Sequence, residues 1–482
     1  MLFPALLYSI PMFRLVVLLF STLASAQVPR LWDDTVMPNL ELPLSHPEFS
    51  PKHVTAEFYY KIPVRPIWKS YPVYHPDRMP AGYMEWLTRQ EPQQVWAEQT
   101  PRTDKEWIEA GELVFDAPIA IGPGASVLRR PAGTNLYLLD KSWYERVKPP
   151  LTREGIVPFY RYVIRKKGAV EVGILACGMC HTRVMPDGSA MKGAQGNFPF
   201  DQAMADDLRA GPSRPQLNLL RGLYFAPWLS EERIAIISNP ASLEGRVPGS
   251  ITRHRSHPMY PIGIPDLIGV QERRYLDRTG LQQNRGIADI MRYAALNQGG
   301  DDRSSFGGFV PLSASNGDQP VTPDQGSRYS DEQLYALAKF LLALQPPSNP
   351  NRFDEMAGRG RVVFRSAGCE GCHPPPLYSN NKLTPAIGFR PPADHRTRYD
   401  ILDIVVGTDP GLTMETRRGT GYYKVPSLRG VWNRGALSHT GQVKSLEEWL
   451  DPARLKTHQG HEFGLNLNAE NKRALIAFLR TL

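Results

Sequence analysis

Two copies of one short motif constrain this chain more than any other feature of its sequence. Each copy has the form Cys-x-x-Cys-His, at residues 177–181 and 369–373, and together they use all four cysteines of the 482-residue chain. A disulfide-dense scaffold is therefore excluded, because such scaffolds need many more cysteines for their length. The placement of the cysteines in two equal motifs is therefore more informative than their number.

The order of residues within each motif has a chemical reason. Its two thiols can react with the two vinyl groups of one porphyrin, and the adjacent histidine then supplies the proximal ligand to the iron. The sequence therefore predicts two covalently attached c-type haems. The residues assigned to them are the attachment cysteines Cys177, Cys180, Cys369 and Cys372, and the iron ligands His181 and His373.

Two other kinds of site remain as alternatives. One zinc ion bound by all four cysteines would bring the two motifs together and leave both histidines without a role. A thioredoxin-like dithiol is disfavoured because neither cysteine pair opens a helix after a strand in a βαβ unit.

The N-terminus indicates where the protein works. Residues 1–26 have the pattern of an export signal: Arg14 precedes an apolar run, and Ala24-Ser25-Ala26 is a small-x-small cleavage site. A membrane anchor is the weaker alternative, because the run is shorter than the ~20 residues that a span needs. We expect a periplasmic or secreted protein with no stable membrane span.

The formal net charge of +8 does not indicate a nucleic-acid partner. The basic residues are scattered or occur in pairs such as Arg129-Arg130 and Arg417-Arg418, and no nucleic-acid motif accompanies them. Most of them are expected at the solvated surface, and some arginines can pair with haem carboxylates.

Two segments share the apolar spacing of an amphipathic helix. They contain Ala336, Leu337, Phe340, Leu341 and Leu344, and Ala474, Leu475, Phe478, Leu479 and Leu482. Ser330 is the expected N-cap of the first helix, and the Pro-rich stretch 346–350 ends it and forms a linker. Each segment is expected to close one haem domain.

The helix that leads into each motif is clear only for the second one. Residues 360–364 begin a helix that runs into Cys369, whereas the similar residues 111–115 end 62 residues before Cys177. A helix over Pro158 to Val172 is the alternative for the first motif. No strong strand alternation is evident, so the predicted class is mainly α. We expect an irregular N-terminal extension wrapping the surface (27–104), two cytochrome c-type domains with long irregular insertions (105–345 and 351–482), and the linker 346–350.

The second half resembles the di-haem cytochrome c peroxidase and MauG superfamily. The likeness lies in Phe364 with the motif that follows, in Lys-Val-Pro-Ser-Leu-Arg-Gly-Val at 424–431, and in Ser-His-Thr-Gly-Gln-Val at 438–443 followed by Ser-Leu-Glu-Glu at 445–448. The resemblance implies a haem oxidoreductase in which one haem accepts electrons from a small redox protein, such as a cytochrome or cupredoxin. The other haem meets peroxide. Calcium is a further candidate cofactor, on Asp and Asn residues of 377–410.

The second haem departs from the family pattern. The family's methionine ligand would fall near Ala453, but the last methionine of the chain is Met414. We prefer His461 as the second axial ligand, and a bis-His iron has a lower potential than a His/Met iron. A His-ligated second haem also resembles the exported rubber oxygenases, which cleave polyisoprene with dioxygen. The competing ligand candidates are His458, Met414, Tyr422 and Tyr423.

The first haem has no obvious sixth ligand, and the family's N-terminal haem has an open or releasable site. His254 or His257 is a candidate for proton transfer, with Arg253 and Arg255 stabilising negative charge. Trp228 is a candidate bridge between the haems. Binding of haem propionates by this basic loop, or its exposure to solvent, is the plainer alternative, and core packing is the plainer role for Trp228.

Three functions follow from these patterns. The first is an oxidoreductase of the peroxidase/MauG type. The second is a non-catalytic di-haem electron-transfer cytochrome, and the third is a rubber-oxygenase-like dioxygenase. Asn197 stands where some peroxidases keep a distal histidine, which weakens the peroxidase hypothesis.

Overall fold

The structure, a computed structural model, describes residues 28–96, 101, 103–122, 125, 137–211, 213–252 and 257–482. Helix prevails over strand, at 38 % and 14 %, in keeping with a mainly α class. The predicted signal peptide and the segment 253–256 lie outside the described residues. In the part of the chain that is described, no helix is both long and apolar enough to cross a bilayer.

The helices and strands follow one another irregularly along the chain. The α-helices are α1 Ala56–Lys61, α2 Tyr83–Thr88, α3 Asp104–Asp116, α4 Lys141–Val147, α5 Cys177–His181, α6 Phe200–Arg209, α7 Arg214–Tyr224, α8 Glu231–Ile236, α9 Ile287–Ala295, α10 Pro311–Ser315, α11 Asp331–Ala343, α12 Glu355–Ser366, α13 His395–Arg398, α14 Gly411–Met414, α15 Leu446–Trp449 and α16 Ala469–Arg480. The strands are β1 Ser70–Tyr74, β2 Ala120–Gly122, β3 Ile156–Lys166, β4 Ala169–Ile174, β5 Thr182–Val184, β6 Ala190–Lys192, β7 Ser250–Ile251, β8 Ile262–Gly263, β9 Tyr275–Leu276, β10 Gln282–Gln283, β11 Leu383–Pro385 and β12 Tyr422–Lys424.

Two helix pairs cross in the same way. In the pair α3 and α11, a Cβ atom on Gly111 would lie 2.0 Å from the Ala336 carbonyl oxygen. In the pair α12 and α16, a Cβ atom on Gly360 would lie 1.9 Å from the Ala474 carbonyl oxygen. Only glycine permits so close an approach, because it has no side chain. Residues 111–115 and 360–364 are therefore equivalent, as their sequence likeness indicates.

Aromatic rings pack beside each crossing in the same arrangement. The ring centroids of Phe115 and Phe340 are 5.2 Å apart, and those of Phe364 and Phe478 are 5.3 Å apart. The two predicted closing helices are confirmed, and Ser330 caps α11 by accepting a hydrogen bond from the backbone of its third residue. α11 ends before the Pro-rich stretch.

The alternative helix over Pro158 to Val172 is wrong. These residues form β3 and β4, a hairpin at the centre of an antiparallel sheet with the order β1-β3-β4-β2. Gly168, in a left-handed conformation (φ 81°), makes the turn, and β3 is rich in the β-branched and aromatic residues that favour strands. Three of its four strands, β2, β3 and β4, lie between α3 and the first motif in the chain, which explains the 62-residue separation.

The N-terminal extension is irregular but does not only wrap the surface. Trp32 is fully buried and stacks on Tyr59 with a centroid distance of 4.1 Å. Both residues belong to the apolar core around α3 and α11. The extension is therefore part of the packing that positions the first motif.

Candidate functional site

The second motif follows α12 directly. Gly368 ends the helix in a left-handed conformation (φ 77°), and Cys369–Gly371 form a 3-10 turn. The next residues bring His373 inward, where its Nδ1 donates a hydrogen bond to the Tyr378 carbonyl over 3.0 Å. Burial lowers the pKa of His373, so the ring is neutral at pH 7. Because Nδ1 carries the proton, Nε2 is the nitrogen that can ligate a metal.

His461 is the histidine that lies opposite His373. The two ring centroids are 6.5 Å apart and the ring planes differ by 54°. The Nδ1 atom of His461 is buried and has no hydrogen-bond partner. Burial, with the charge of His373 as a second cause, lowers the pKa of His461 to about 4, so this ring is also neutral at pH 7.

One guanidinium holds the loop that carries His461. Arg454 donates hydrogen bonds to the carbonyls of His458, Gly460 and His461 over 2.8, 2.9 and 2.7 Å. The same guanidinium lies over the Trp449 ring, 4.6 Å from its centroid. Of the two histidines that the sequence offers here, His461 thus faces the cavity beside His373.

The cavity between the two imidazoles is mostly apolar. Its walls include Phe364, Leu437, Trp449, Leu450, Leu475 and Leu479. Cys369 and Cys372 also line it, and both are free thiols. A flat apolar group attached through these thiols would therefore be enclosed by the core of the second unit.

These residues fit a haem. Two imidazoles on opposite sides of one metal ion, with metal–nitrogen distances of ~2.0 Å, place their ring centroids about 6.4 Å apart. The observed 6.5 Å matches this separation. Cys369 and Cys372 would hold the porphyrin through thioether bonds, and His373 and His461 would be the axial ligands.

The competing ligand candidates are used elsewhere. Tyr422 shares a hydrogen bond of 2.9 Å with His395 through its hydroxyl group. Tyr423 lines the cavity, but its hydroxyl group donates to the Asp409 carbonyl over 2.7 Å. Met414 is not among the residues that line the cavity.

The first motif forms the short helix α5. The Nδ1 atom of His181 donates to the Pro265 carbonyl over 3.0 Å, and burial lowers the pKa of this histidine to about 4. The arrangement repeats that of the second motif and again leaves Nε2 for a metal. Burial also raises the pKa of the Cys177 and Cys180 thiols to about 12. Protonated thiols of this kind do not fit a reactive dithiol.

The first motif does not belong to a βαβ unit, although α5 follows β4. The strand before the motif belongs to the four-stranded sheet, whereas β5, the strand after it, pairs only with β6. The four cysteines also do not converge. Within the described ranges, no group of three or more His, Cys, Asp or Glu side chains could hold a metal ion. The described residues therefore give no support to the single zinc site.

The structure does not support His257 as a distal residue. Its Nε2 donates to the Arg233 carbonyl over 2.8 Å, and its Nδ1 accepts from the Met259 amide over 3.2 Å. Both nitrogens are thus satisfied by backbone groups, and the side chain is fully buried. These contacts hold the loop in place and do not support the predicted role of His257 in proton transfer. The neighbouring candidates His254, Arg253 and Arg255 lie outside the described residues.

Trp228 packs against other aromatic rings, which is the simpler of the two roles that the sequence suggested for it. Its ring stacks on His46 with a centroid distance of 4.6 Å and lies 5.2 Å from Phe49. It is not among the residues that line the cavity of the second motif. Nothing in these contacts makes it a bridge between the two motifs.

Sequence reasoning missed the polar side of the cavity. Arg278, Lys424 and Arg434 line it, together with His439. The His439 ring stacks on Tyr423 at 4.2 Å, and its Nε2 atom is buried without a hydrogen-bond partner. Lys424 and His439 belong to the two sequence blocks that carry the family resemblance, so the sequence could have indicated them as site residues. No sequence pattern indicated Arg278 or Arg434.

Comparison with known proteins finds remote structural likenesses. No protein-family model and no curated protein sequence matches the chain. A structure of hydrazine synthase from Kuenenia stuttgartiensis, pressurised with 20 bar xenon, aligns with a TM-score of 0.30 and 16 % identity, covering 58 % of this chain and 92 % of that one. The diheme peroxidase BthA from Burkholderia thailandensis E264 aligns with a TM-score of 0.27 and 16 % identity, covering 82 % and 91 %.

Proposed function

We propose that the chain is an exported di-haem c-type cytochrome with oxidoreductase activity of the peroxidase type. Its two domains are residues 105–345 and 351–482, and each holds one haem. The observation that carries the proposal is the pair His373 and His461, 6.5 Å apart across a cavity walled by Cys369 and Cys372. The repeated helix crossing supports the same scaffold around the first motif.

The second site is suited to electron transfer. Bound haem supplies a one-electron iron at each site and, where a coordination position is open, the iron that reduces an oxidant. His373 and His461 would hold a haem iron from both sides at the second site and would leave no position there for substrate. Arg454 keeps His461 in position. A small redox protein, such as a cytochrome or cupredoxin, is the proposed donor.

The first site is the proposed place of reduction. Reduction of hydrogen peroxide there consumes two electrons and two protons and releases two water molecules. His181 occupies one side of the site, and the proton has to come from a polar group on the other side. His254, with Arg253 and Arg255 beside it in the sequence, is the remaining candidate from the basic loop.

Electron paramagnetic resonance of the oxidised protein, before and after addition of peroxide, tests the proposal. A low-spin signal from the second haem and a high-spin signal from the first, lost on addition of peroxide, are expected. Two low-spin signals that peroxide leaves unchanged would indicate a non-catalytic electron-transfer cytochrome. A high-spin signal that responds to dioxygen in the reduced protein but not to peroxide would favour a dioxygenase.

A further inference from the structure

The polar side of the cavity beside His373 carries an excess of positive charge. Arg278, Lys424 and Arg434 line the cavity. Arg273 lies behind them and shares a carboxylate with Arg434. That carboxylate is Asp266, whose oxygens lie 2.5 Å from Arg273 and 2.7 Å from Arg434. Among the described residues, two of these four cations, Arg273 and Arg434, form ion pairs, and both pair with this one carboxylate.

The other two cations contact uncharged oxygens. Arg278 donates hydrogen bonds to the carbonyls of Gly263 and Ile264 over 2.9 and 3.3 Å. Lys424 donates to the carbonyl of Tyr275 over 3.1 Å. These carbonyls orient the side chains without neutralising them, and the carboxylates of Asp277 and Asp266 nearby favour the charged form of both groups. A buried cation without a counter-ion is costly, because it loses its hydration.

Two further observations point to a missing anion. The Arg434 side chain is only 10 % exposed, and its Nε atom is buried without a hydrogen-bond partner. Burial, followed by the nearby Arg273 and Arg278, lowers the pKa of Lys424 to about 7. An anion in the cavity would restore the charged form of this lysine.

The neighbouring acid is already engaged. Asp277, next to Arg278 in the chain, forms an ion pair with Arg418 over 3.4 Å. Arg273, Arg278, Lys424 and Arg434 therefore share two nearby carboxylates, Asp266 and Asp277, and Asp277 is also shared with Arg418.

We propose that Arg278, Lys424 and Arg434 bind the two carboxylates of the haem that Cys369 and Cys372 attach. This inference rests on the proposed function. A c-type porphyrin carries two propionate groups on the pyrrole rings that are not bonded to the cysteines, and guanidinium groups bind carboxylates in a bidentate manner. The cations come from β12 and from loops outside the motif, so they can meet the far edge of the porphyrin.

The test compares full-length, haem-loaded variants. Lys424→Met removes one charge of the cluster, and Lys424→Arg restores it. Arg278→Gln repeats the test from another element, so that a folding defect in one variant does not decide the outcome. Arg429→Gln is the matched control, because Arg429 is 41 % exposed and pairs with Glu272. Haem content by pyridine haemochrome assay, resonance Raman spectra and redox titrations are measured for each.

Lys424→Met and Arg278→Gln are expected to keep both haems, to shift the propionate bands in resonance Raman spectra, and to lower the midpoint potential of the low-spin haem. A positive charge near the iron disfavours the oxidised form. Removal of this charge therefore stabilises the oxidised form and lowers the midpoint potential. Lys424→Arg should restore both signals, and Arg429→Gln should change neither. Variants with two haems and wild-type spectra and potentials would overturn the inference. A midpoint potential that changes on addition of acetate would also overturn the inference, because the cluster would then bind free anions. A wild-type protein with fewer than two haems would instead refute the proposed function.

Discussion

The crossing of α12 and α16 allows a sharp test of the scaffold around the second motif. Gly360 and Gly358 lie two positions apart on α12 and differ in their surroundings. A Cβ atom on Gly360 would lie 1.9 Å from the Ala474 carbonyl oxygen, whereas on Gly358 the nearest atom would be a ring carbon of Phe353 at 3.9 Å. We predict that Gly360→Ala destabilises the protein and that Gly358→Ala does not.

The magnitudes follow from these distances. A Cβ contact below 3.0 Å essentially never occurs in proteins, so α16 must move by about 1.1 Å, and a backbone carbonyl cannot swing aside as a flexible side chain can. Overpacking costs ~1–3 kcal/mol, and we take the upper end for a backbone clash. Replacing glycine by alanine in a helix returns up to ~1 kcal/mol. Gly360→Ala should thus lose ~2 kcal/mol of unfolding free energy, and Gly358→Ala should gain up to ~1 kcal/mol.

Guanidinium unfolding of the holoprotein measures both effects. Far-UV circular dichroism follows the helices, and the absorption of the low-spin haem follows the cavity beside His373. The midpoint should fall for Gly360→Ala and stay or rise for Gly358→Ala, with similar slopes. Gly111→Ala repeats the test at the first crossing, where the clash is with Ala336 at 2.0 Å. Equal midpoints for the two α12 variants would refute the packing argument.

Two further predictions concern the site. His461→Ala should convert the second haem from low spin to high spin in electron paramagnetic resonance, and His458→Ala, as the control, should not; an unchanged spectrum in the first variant would rule out His461 as a ligand. Asp266→Asn should lower the free energy of unfolding by ~3 kcal/mol at pH 7, because it leaves buried cations without their carboxylate. Burial alone would raise the pKa of Asp266, but Arg434 and Arg273 hold it below its usual range. The ionised group therefore stabilises the folded protein above the unfolded-state pKa of ~3.9. This contribution is lost as the pH falls below that value. In urea unfolding, the free energies of unfolding of the wild type and of Asp266→Asn should therefore converge in acid. A difference that persists undiminished in strong acid would contradict the ion-pair explanation.

The features that the sequence predicted well are local ones. The two motifs carry their chemistry within five residues, and the closing helices repeat their apolar spacing every three or four residues. The absence of the family's methionine near Ala453 predicts His461 as a ligand. The structure places this histidine 6.5 Å from His373, and its binding to iron stays a prediction.

The features that the sequence did not predict depend on contacts between residues that are far apart in the chain. β3 has buried runs of two and three residues rather than strict alternation, and such a pattern also suits a helix. Its partner β1 lies about 90 residues earlier in the chain. The cluster around Asp266 likewise joins Arg273 and Arg434 across 161 residues of sequence. No local sequence pattern indicates that such residues are in contact.

Asp266 also connects the two motifs. His181 donates its Nδ1 proton to the carbonyl of Pro265, the residue before Asp266. Asp266 in turn binds Arg434, which lines the cavity of the second motif. The carbonyl that accepts from His181 and the carboxylate that pairs with Arg434 therefore belong to two consecutive residues. Because interiors are close-packed, such a segment transmits a shift rather than absorbing it. Asp266→Asn should accordingly alter the spectra of both haems, and not only that of the second.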